Sequence, residues 1–171
     1  TRTVLGPASL FEVVLDRWKL LTAAALVGIA EAAKELGVAY VKDREQFGVP
    51  VGSFQAVQHG LADLPVAIDG GRLLTHKAAW ALDNVTDCLI DWANNEITDG
   101  PTLATMAFLF AADGAVMATD RSLHYHGGYG FAEEYDIQMY YRRARGWSLI
   151  LDDSTSVGLS LADRLFGTVE G

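Results

Sequence analysis

A short polar segment between two helical stretches carries the side chains with the clearest chemical potential. Residues 44–55 hold Arg44, Gln46 and Gln55 around a corner that glycine and proline residues punctuate. A guanidinium and two amides beside exposed backbone N–H groups suit an anionic or amide-bearing ligand. The spacing by itself favours the alternative, which is an ordinary helix–helix connection with polar surface residues.

A second segment, residues 124–131, places three glycines within four positions. Glycines bare the backbone for close approach by a ligand or by a neighbouring subunit. The segment is not a phosphate-binding loop, because no Gly-Lys-Ser/Thr follows it. It is not a dinucleotide fingerprint, because no predicted strand precedes it. The alternative is a glycine that ends a helix beside a hydrogen-bonded histidine. His124 and His126 have no cysteine or carboxylate partners at ligand spacing, so no metal site is expected.

Other reactive groups give weaker signals. Cys88 is the only cysteine and lies in the apolar phase of a helical pattern, which favours core packing over a catalytic thiol. Asp152 and Asp153 precede the last helical stretch. Carboxylates stabilise helix N-termini, so capping is favoured there over acid–base chemistry.

The composition limits the classes of partner. The 171 residues carry a formal net charge of -9, which argues against nucleic acids and anionic membrane surfaces. No segment has the order of a signal peptide, and the apolar stretch at residues 20–33 is too short to span a bilayer. We therefore expect a soluble, cytoplasmic protein. Residues 1–7 resemble a connecting segment, which predicts an excised domain or a processed chain.

The elements that position these residues are all predicted to be helical. Apolar residues recur at spacings of three and four, and no stretch alternates at a period of two for long enough to predict a sheet. Ser53 is expected to cap the second helix, with kinks at Pro65 and at residues 70–71, and Ser154 or Thr155 to cap the last. The predicted architecture is all-α, close to an up-down four-helix bundle. The expected helices cover residues 8–45, 53–92, 102–123, 133–143 and 154–166.

Two motifs carry a family resemblance. Residues 44–64 begin Arg-Glu-Gln-Phe-Gly-Val-Pro-Val-Gly-Ser-Phe-Gln and end Leu-Ala-Asp-Leu, and residues 124–131 read His-Tyr-His-Gly-Gly-Tyr-Gly-Phe. With the Arg-Arg-Ala-Arg of residues 142–145, they resemble motifs of the C-terminal helical domain of acyl-CoA dehydrogenases, in the same order. The resemblance covers residues 1–171 as one helical domain. It implies that the family's N-terminal helical and middle β domains lie outside this sequence.

The resemblance implies a flavoprotein that holds FAD between subunits and oxidises an acyl-CoA substrate to its 2,3-enoyl form. In that family a carboxylate removes the α-proton while the flavin accepts the β-hydride. A homo- or hetero-oligomer, such as a dimer of dimers, is also implied. By position, Arg44 would pair with the FAD pyrophosphate, Phe47 and Gln55 would line its adenine side, and His124, Gly127 and Gly128 would approach the dinucleotide.

The family's catalytic carboxylate has no clear counterpart. Counting from Arg142 places its position at Leu151, which cannot accept a proton, and the same register also matches Ser154. A shift of one residue would select Asp152 instead. Some members carry the base on the first helix, where this chain has Trp18. The catalytic base is therefore unknown.

Asp16 and Lys19 fall where family members contact the CoA moiety or the base region, and the alternative for both is a solvated helix face.

The resemblance leaves three functions open. In the first, the chain is the base-less partner in a heteromeric acyl-CoA dehydrogenase, of the kind known for steroid side-chain breakdown in actinobacteria. In the second, it is a homotetrameric dehydrogenase that uses Asp152 or a base outside this sequence. In the third, it is a helical interaction module without flavin.

Overall fold

The computed structural model describes residues 8–86, 89–94, 96–151 and 153–167, and these are predominantly helical. Cys88, Asp152 and residues 1–7 lie outside the described residues. Two short antiparallel hairpins and two 3-10 turns, Val51–Ser53 and Gly127–Phe131, connect the helices. The elements in chain order are α1 (Ala8–Asp43), β1 (Glu45–Gln46), β2 (Val49–Pro50), α2 (Gln55–Ala62), α3 (Leu64–Asn84), β3 (Ile90–Asp91), β4 (Glu96–Ile97), α4 (Gly100–His126), α5 (Ile137–Ser148) and α6 (Ser154–Phe166).

The centre of the fold is α4, whose small side chains allow α1 and α3 to approach closely. Phe108 is the largest side chain buried there, and Leu26 of α1 and Leu64 of α3 belong to the same core cluster. The predicted all-α, bundle-like class is therefore confirmed. The buried alanines of α4 are Ala104, Ala107, Ala111, Ala112, Ala115 and Ala118.

The composition of α4 resembles that of a membrane span. Gly100–Phe131 has the length and mean hydropathy, 1.4, that a span requires, yet 67% of its apolar window is buried inside the fold. A helix that is apolar on all sides is equally the mark of a buried core helix. The central position of α4 accounts for its apolarity.

The second predicted helix is divided, where a single bent helix was expected. α2 ends at Ala62 and α3 begins at Leu64. Pro65 lies in the first turn of α3, where its missing N–H leaves no helical hydrogen bond unmade. α3 ends at Asn84, so Trp92 lies in the β3–β4 hairpin instead of in a helix. The prediction that the chain contains no sheet is wrong, because β1 pairs with β2 and β3 pairs with β4 in two-residue antiparallel ladders.

Gly70 and Gly71 do not kink α3, which runs through both. They lie where neighbouring helices approach. A Cβ at Gly70 would lie 3.0 Å from Cε1 of Phe110, and one at Gly71 would lie 3.2 Å from Cγ2 of Val27. The pair therefore serves close helix packing and not bending.

An aspartate caps α6 in place of the predicted hydroxyl residues. The Asp153 carboxylate accepts hydrogen bonds from the backbone N–H groups of Thr155 and Ser156, at 2.9 and 3.0 Å. These bonds, that from Ser156 foremost, hold the pKa of Asp153 below its ordinary value. The predicted caps Ser154 and Thr155 are wrong, and the predicted capping role of Asp153 is confirmed.

Other helix boundaries also shift. The backbone N–H of Thr102 donates to the Asp99 carboxylate at 2.9 Å, so Asp99 caps α4, which begins at Gly100 and ends at His126. Ser53 does not cap α2, because its hydroxyl donates to the Pro50 carbonyl at 2.7 Å. α5 begins at Ile137, later than predicted, because turns follow α4.

Candidate functional site

The corner after α1 is a tight hairpin that presents an aromatic ring. β1 and β2 pair with Glu45 opposite Pro50, which leaves Phe47 and Gly48 as the two-residue tip. Both have positive φ, 56° and 79°, as a tight hairpin requires, and this is an uncommon conformation for a phenylalanine. Phe47 is 94% exposed, and the ring contact recorded for it among the described residues is an edge-on contact with Phe54, with ring centroids 6.2 Å apart. The backbone therefore holds a large apolar ring outside the fold, where a partner or ligand would cover it.

The three polar side chains of the corner have different surroundings. The Arg44 guanidinium lies over the ring of Tyr129, 5.8 Å from its centroid. Gln46 donates to the carbonyl of the preceding residue, and Gln55 is exposed at the start of α2. Within the described residues, no carboxylate lies at ion-pairing distance from Arg44, so its charge is available to an external anion.

The glycine-rich turn after α4 both ends a helix beside a hydrogen-bonded histidine and exposes its backbone to close approach, which are the two alternatives that the sequence left open. Gly127 has φ of +61° and ends α4, while the buried His126 lies with Nδ1 2.6 Å from the Ser122 carbonyl. A Cβ at Gly127 or Gly128 would have no neighbour within 4 Å, so their backbone is open to approach. Gly130 differs, because a Cβ there would lie 2.7 Å from the Leu123 carbonyl oxygen.

The corner and the glycine-rich turn form one surface. Tyr40, in the last turns of α1, stacks on His126 with ring centroids 4.0 Å apart, and its hydroxyl donates to the His126 carbonyl at 3.4 Å. Arg44 over Tyr129 makes the second connection, and Tyr135 packs edge-on against Tyr40.

We use the name corner surface for the residues of the two segments that a ligand would contact, which are Arg44, Phe47, Gln55, Gly127 and Gly128. The contacts that Tyr40 and Tyr129 make in this surface were not predicted, because no local pattern in the sequence marks them.

His124 stands apart from this aromatic cluster. Its exposed ring lies on the last turn of α4, where it contacts Tyr125 edge-on with centroids 6.0 Å apart. The structure therefore leaves its imidazole open to solvent. The proposed contact with a dinucleotide stays a prediction.

Neither expected base position carries a titratable group. Leu151 lines a cavity between α1, α4 and α6. Trp18 is half-buried, and its ring packs against Phe108 at a centroid distance of 5.6 Å. Asp152, the other candidate, lies outside the described residues. Asp153 holds its backbone hydrogen bonds as the cap of α6.

Asp16 and Lys19 do not lie on a solvated helix face, and that alternative is wrong. They are 5% and 7% exposed, and Lys19 Nζ lies 3.4 Å from the Asp16 carboxylate. Lys19 also donates to the Thr105 hydroxyl of α4 at 2.9 Å. The spacing of these residues in the sequence could have predicted their burial, because Asp16 and Lys19 continue the three-and-four repeat of the buried stripe of α1. That stripe runs Ala23, Leu26, Ala30 and Ala33.

Comparison with known proteins decides the family. The family model described as acyl-CoA dehydrogenase, C-terminal domain, matches residues 9–150. The chain belongs to the acyl-CoA dehydrogenase family. It is 37% identical over 136 residues to the acyl-CoA dehydrogenase IpdE2 of Mycolicibacterium smegmatis, a match that covers 80% of this chain and 38% of that protein.

Solved structures of acyl-CoA dehydrogenases share the fold. A variant of the Tcur3481–Tcur3483 steroid ACAD matches with a TM-score of 0.78 and 33% identity, over 92% of this chain and 40% of that one. The ChsE4–ChsE5 complex from Mycobacterium tuberculosis matches with a TM-score of 0.77 and 25% identity, over 90% of this chain and 39% of that one. The chain spans about a third of the length of the curated relatives that it matches.

Proposed function

We propose that this acyl-CoA dehydrogenase domain completes an FAD site in an enzyme that desaturates an acyl-CoA at its 2,3 position. The observation that carries the proposal is the corner surface, in which an arginine without a carboxylate partner in the described chain adjoins two glycines with open backbone. A cation beside unobstructed N–H groups suits a pyrophosphate. When bound, FAD would supply the acceptor for the hydride that leaves the β-carbon.

Each residue of the corner surface has one role in this proposal. Arg44 would bind the pyrophosphate through charge-assisted hydrogen bonds, and Gly127 and Gly128 would admit the dinucleotide close to their backbone. Phe47 and Gln55 would line the adenine side. His124 would contribute an imidazole from the end of α4.

The residues at the base positions favour a division of labour between subunits. Leu151 and Trp18 cannot remove an α-proton, whereas the corner surface keeps the features that suit a flavin dinucleotide. We therefore favour a heteromeric enzyme in which a sister subunit supplies the carboxylate. The resemblance to one chain of the ChsE4–ChsE5 complex supports this choice.

A second candidate is a homomeric dehydrogenase that takes its base from Asp152 or from outside this sequence. Co-expression of the full-length chain with the product of the neighbouring gene separates the two candidates. We expect yellow protein, with the absorbance of bound flavin, only when both chains are present. Yellow and active protein from the full-length chain alone would contradict the heteromeric assignment, and colourless protein under both conditions would favour a module without flavin.

Arg44→Ala is expected to weaken FAD binding roughly 10- to 100-fold, because a charge-assisted hydrogen bond contributes about 1.5–3 kcal/mol. The measurement is the flavin-to-protein ratio after dialysis of the purified full-length assembly, followed by titration with FAD. Arg17→Ala is the matched control, since Arg17 is an exposed arginine of α1 that pairs with Asp83 at 3.4 Å. Equal FAD affinity for the two variants would refute the role given to Arg44.

A further inference from the structure

α2 carries Gln55 of the corner surface, yet none of the residues of this helix is buried. Phe54, directly before the helix, packs edge-on against Phe47 with ring centroids 6.2 Å apart. Leu61 packs against the core cluster but is only half-buried. Most helices in proteins are held by the burial of an apolar face, so the position of α2 depends on other contacts.

Arg121, near the end of α4, contacts the C-terminal end of α2. Its Nη1 donates to the Gly60 carbonyl at 2.6 Å and to the Asp63 carboxylate at 3.0 Å. The last carbonyls of a helix have no partner within the helix, and a cation beside them also suits the helix dipole. One arginine side chain therefore hydrogen-bonds the end of α2 and links it to α4.

Tyr125 contacts α2 one turn further along α4. A Cβ at Gly60 would lie 1.9 Å from the Tyr125 hydroxyl oxygen, so the phenol occupies the space that a side chain would need. Residues four apart on a helix lie on the same face, which places Arg121 and Tyr125 side by side. α4 therefore holds α2 at its C-terminal end, through one arginine and one tyrosine.

We propose that Arg121 is a positioning residue for the adenylate half of the flavin dinucleotide. The inference rests on the proposed function, in which Gln55 and Phe47 line the adenine side. Gln55 lies five residues from Gly60, or about 8 Å along the helix axis, so a displacement at the C-terminal end of α2 also moves its first residue. Loss of the Arg121 hydrogen bonds therefore releases α2 and misplaces Gln55.

The pyrophosphate side of the corner surface lies on other elements. Arg44 lies between α1 and β1, and Gly127 and Gly128 follow α4. Because Arg121 acts through α2, its loss should weaken contacts to the adenylate half and leave those to the pyrophosphate side. FMN lacks the adenylate half of FAD, so a comparison of the two flavins separates these effects.

The test titrates FAD and FMN into the full-length protein, purified with any partner subunit that it requires and freed of flavin, with flavin fluorescence as the signal. Arg121→Met removes both hydrogen bonds at similar side-chain length, and Arg121→Lys keeps the charge and a donor. Arg72→Met is the matched control, because Arg72 joins α3 to α1 by pairing with Glu31, and it also pairs with Asp69.

We expect Arg121→Met to weaken FAD binding roughly three- to tenfold, the range of one net hydrogen bond, and to change FMN binding less than about twofold. Arg121→Lys should recover most of the FAD affinity. Arg72→Met should leave the ratio of FAD affinity to FMN affinity as in wild type. Equal losses for both flavins, or a loss for neither, would overturn the role given to Arg121.

Hydrogen exchange of the flavin-free samples tests the contact with α2 directly. Arg121→Met should speed exchange of the α2 amides about threefold or more and leave those of α1 unchanged, and unchanged exchange in α2 would also overturn the proposal. A wild-type protein that binds neither flavin would contradict the proposed FAD site itself. FAD binding that Arg44→Ala weakens and Arg121→Met does not would support that site and refute the positioning role.

Discussion

Replacement of Lys19 by methionine is expected to lower the free energy of unfolding by about 3–5 kcal/mol, because it leaves the Asp16 carboxylate buried without its cation. The pair is nearly inaccessible to solvent, with 5% and 7% exposure, so little contact with water offsets the loss of the ammonium. The Thr105 hydroxyl also loses the N–H that it accepts at 2.9 Å. Methionine keeps most of the side-chain volume, so the measured loss reports charge more than packing. Denaturant unfolding of the full-length protein gives the value.

Two comparisons test the cause. Lys77→Met, at an exposed position of α3, should change stability by less than about 0.5 kcal/mol. The double variant Asp16→Leu with Lys19→Met should recover most of the loss, since replacing both members of a buried pair by apolar groups is often neutral. A single variant Lys19→Met that is as stable as Lys77→Met would contradict the burial of this pair.

Phe108→Ala should also lower the free energy of unfolding by about 3–5 kcal/mol, through lost burial and the cavity left behind. The ring is 1% exposed at the centre of the fold, where α4 packs against its neighbours. It also supports Trp18, whose ring centroid lies 5.6 Å away. Thermal and denaturant unfolding of the full-length protein measure the loss.

Phe110 provides the matched control for this prediction. It is the same residue type two positions further along α4, but it is 45% exposed and its ring lies beside Gly70 and Gly71. Phe110→Ala should therefore cost less than half as much as Phe108→Ala, because less apolar area leaves water there. Equal losses at the two positions would show that the core is not organised around Phe108.

Much of the fold could be predicted because its helices are amphipathic or apolar at regular spacing. The periodicity placed α1 within two residues at its C-terminal end, and it identified the last helix. It could not separate α2 from α3, since the chain remains apolar across Asp63 and only Pro65 marks the break. It also could not show that Gly70 and Gly71 adjoin Phe110, because that proximity arises only when α3 packs on α4.

The candidate site was also predicted only in part. The polar corner and the glycine-rich turn could be recognised separately, because each has a local signature of turn residues. That Tyr40, Arg44 and Tyr129 bring these two segments together could not be predicted, since it depends on contacts between the end of α1 and the end of α4. The burial of Asp16 was missed because its charge suggested solvent, although its register agreed with the buried stripe.

The hydrogen bond from Tyr40 to His126 joins residues 86 positions apart. A surface assembled over such a distance does not exist in the unfolded chain, and a ligand that binds there binds the folded state alone. By linkage, each tenfold excess of that ligand over its dissociation constant adds about 1.4 kcal/mol to the stability of the fold. Occupancy of the corner surface and persistence of the α1–α4 packing are therefore thermodynamically linked, and the melting temperature rises with the concentration of the ligand.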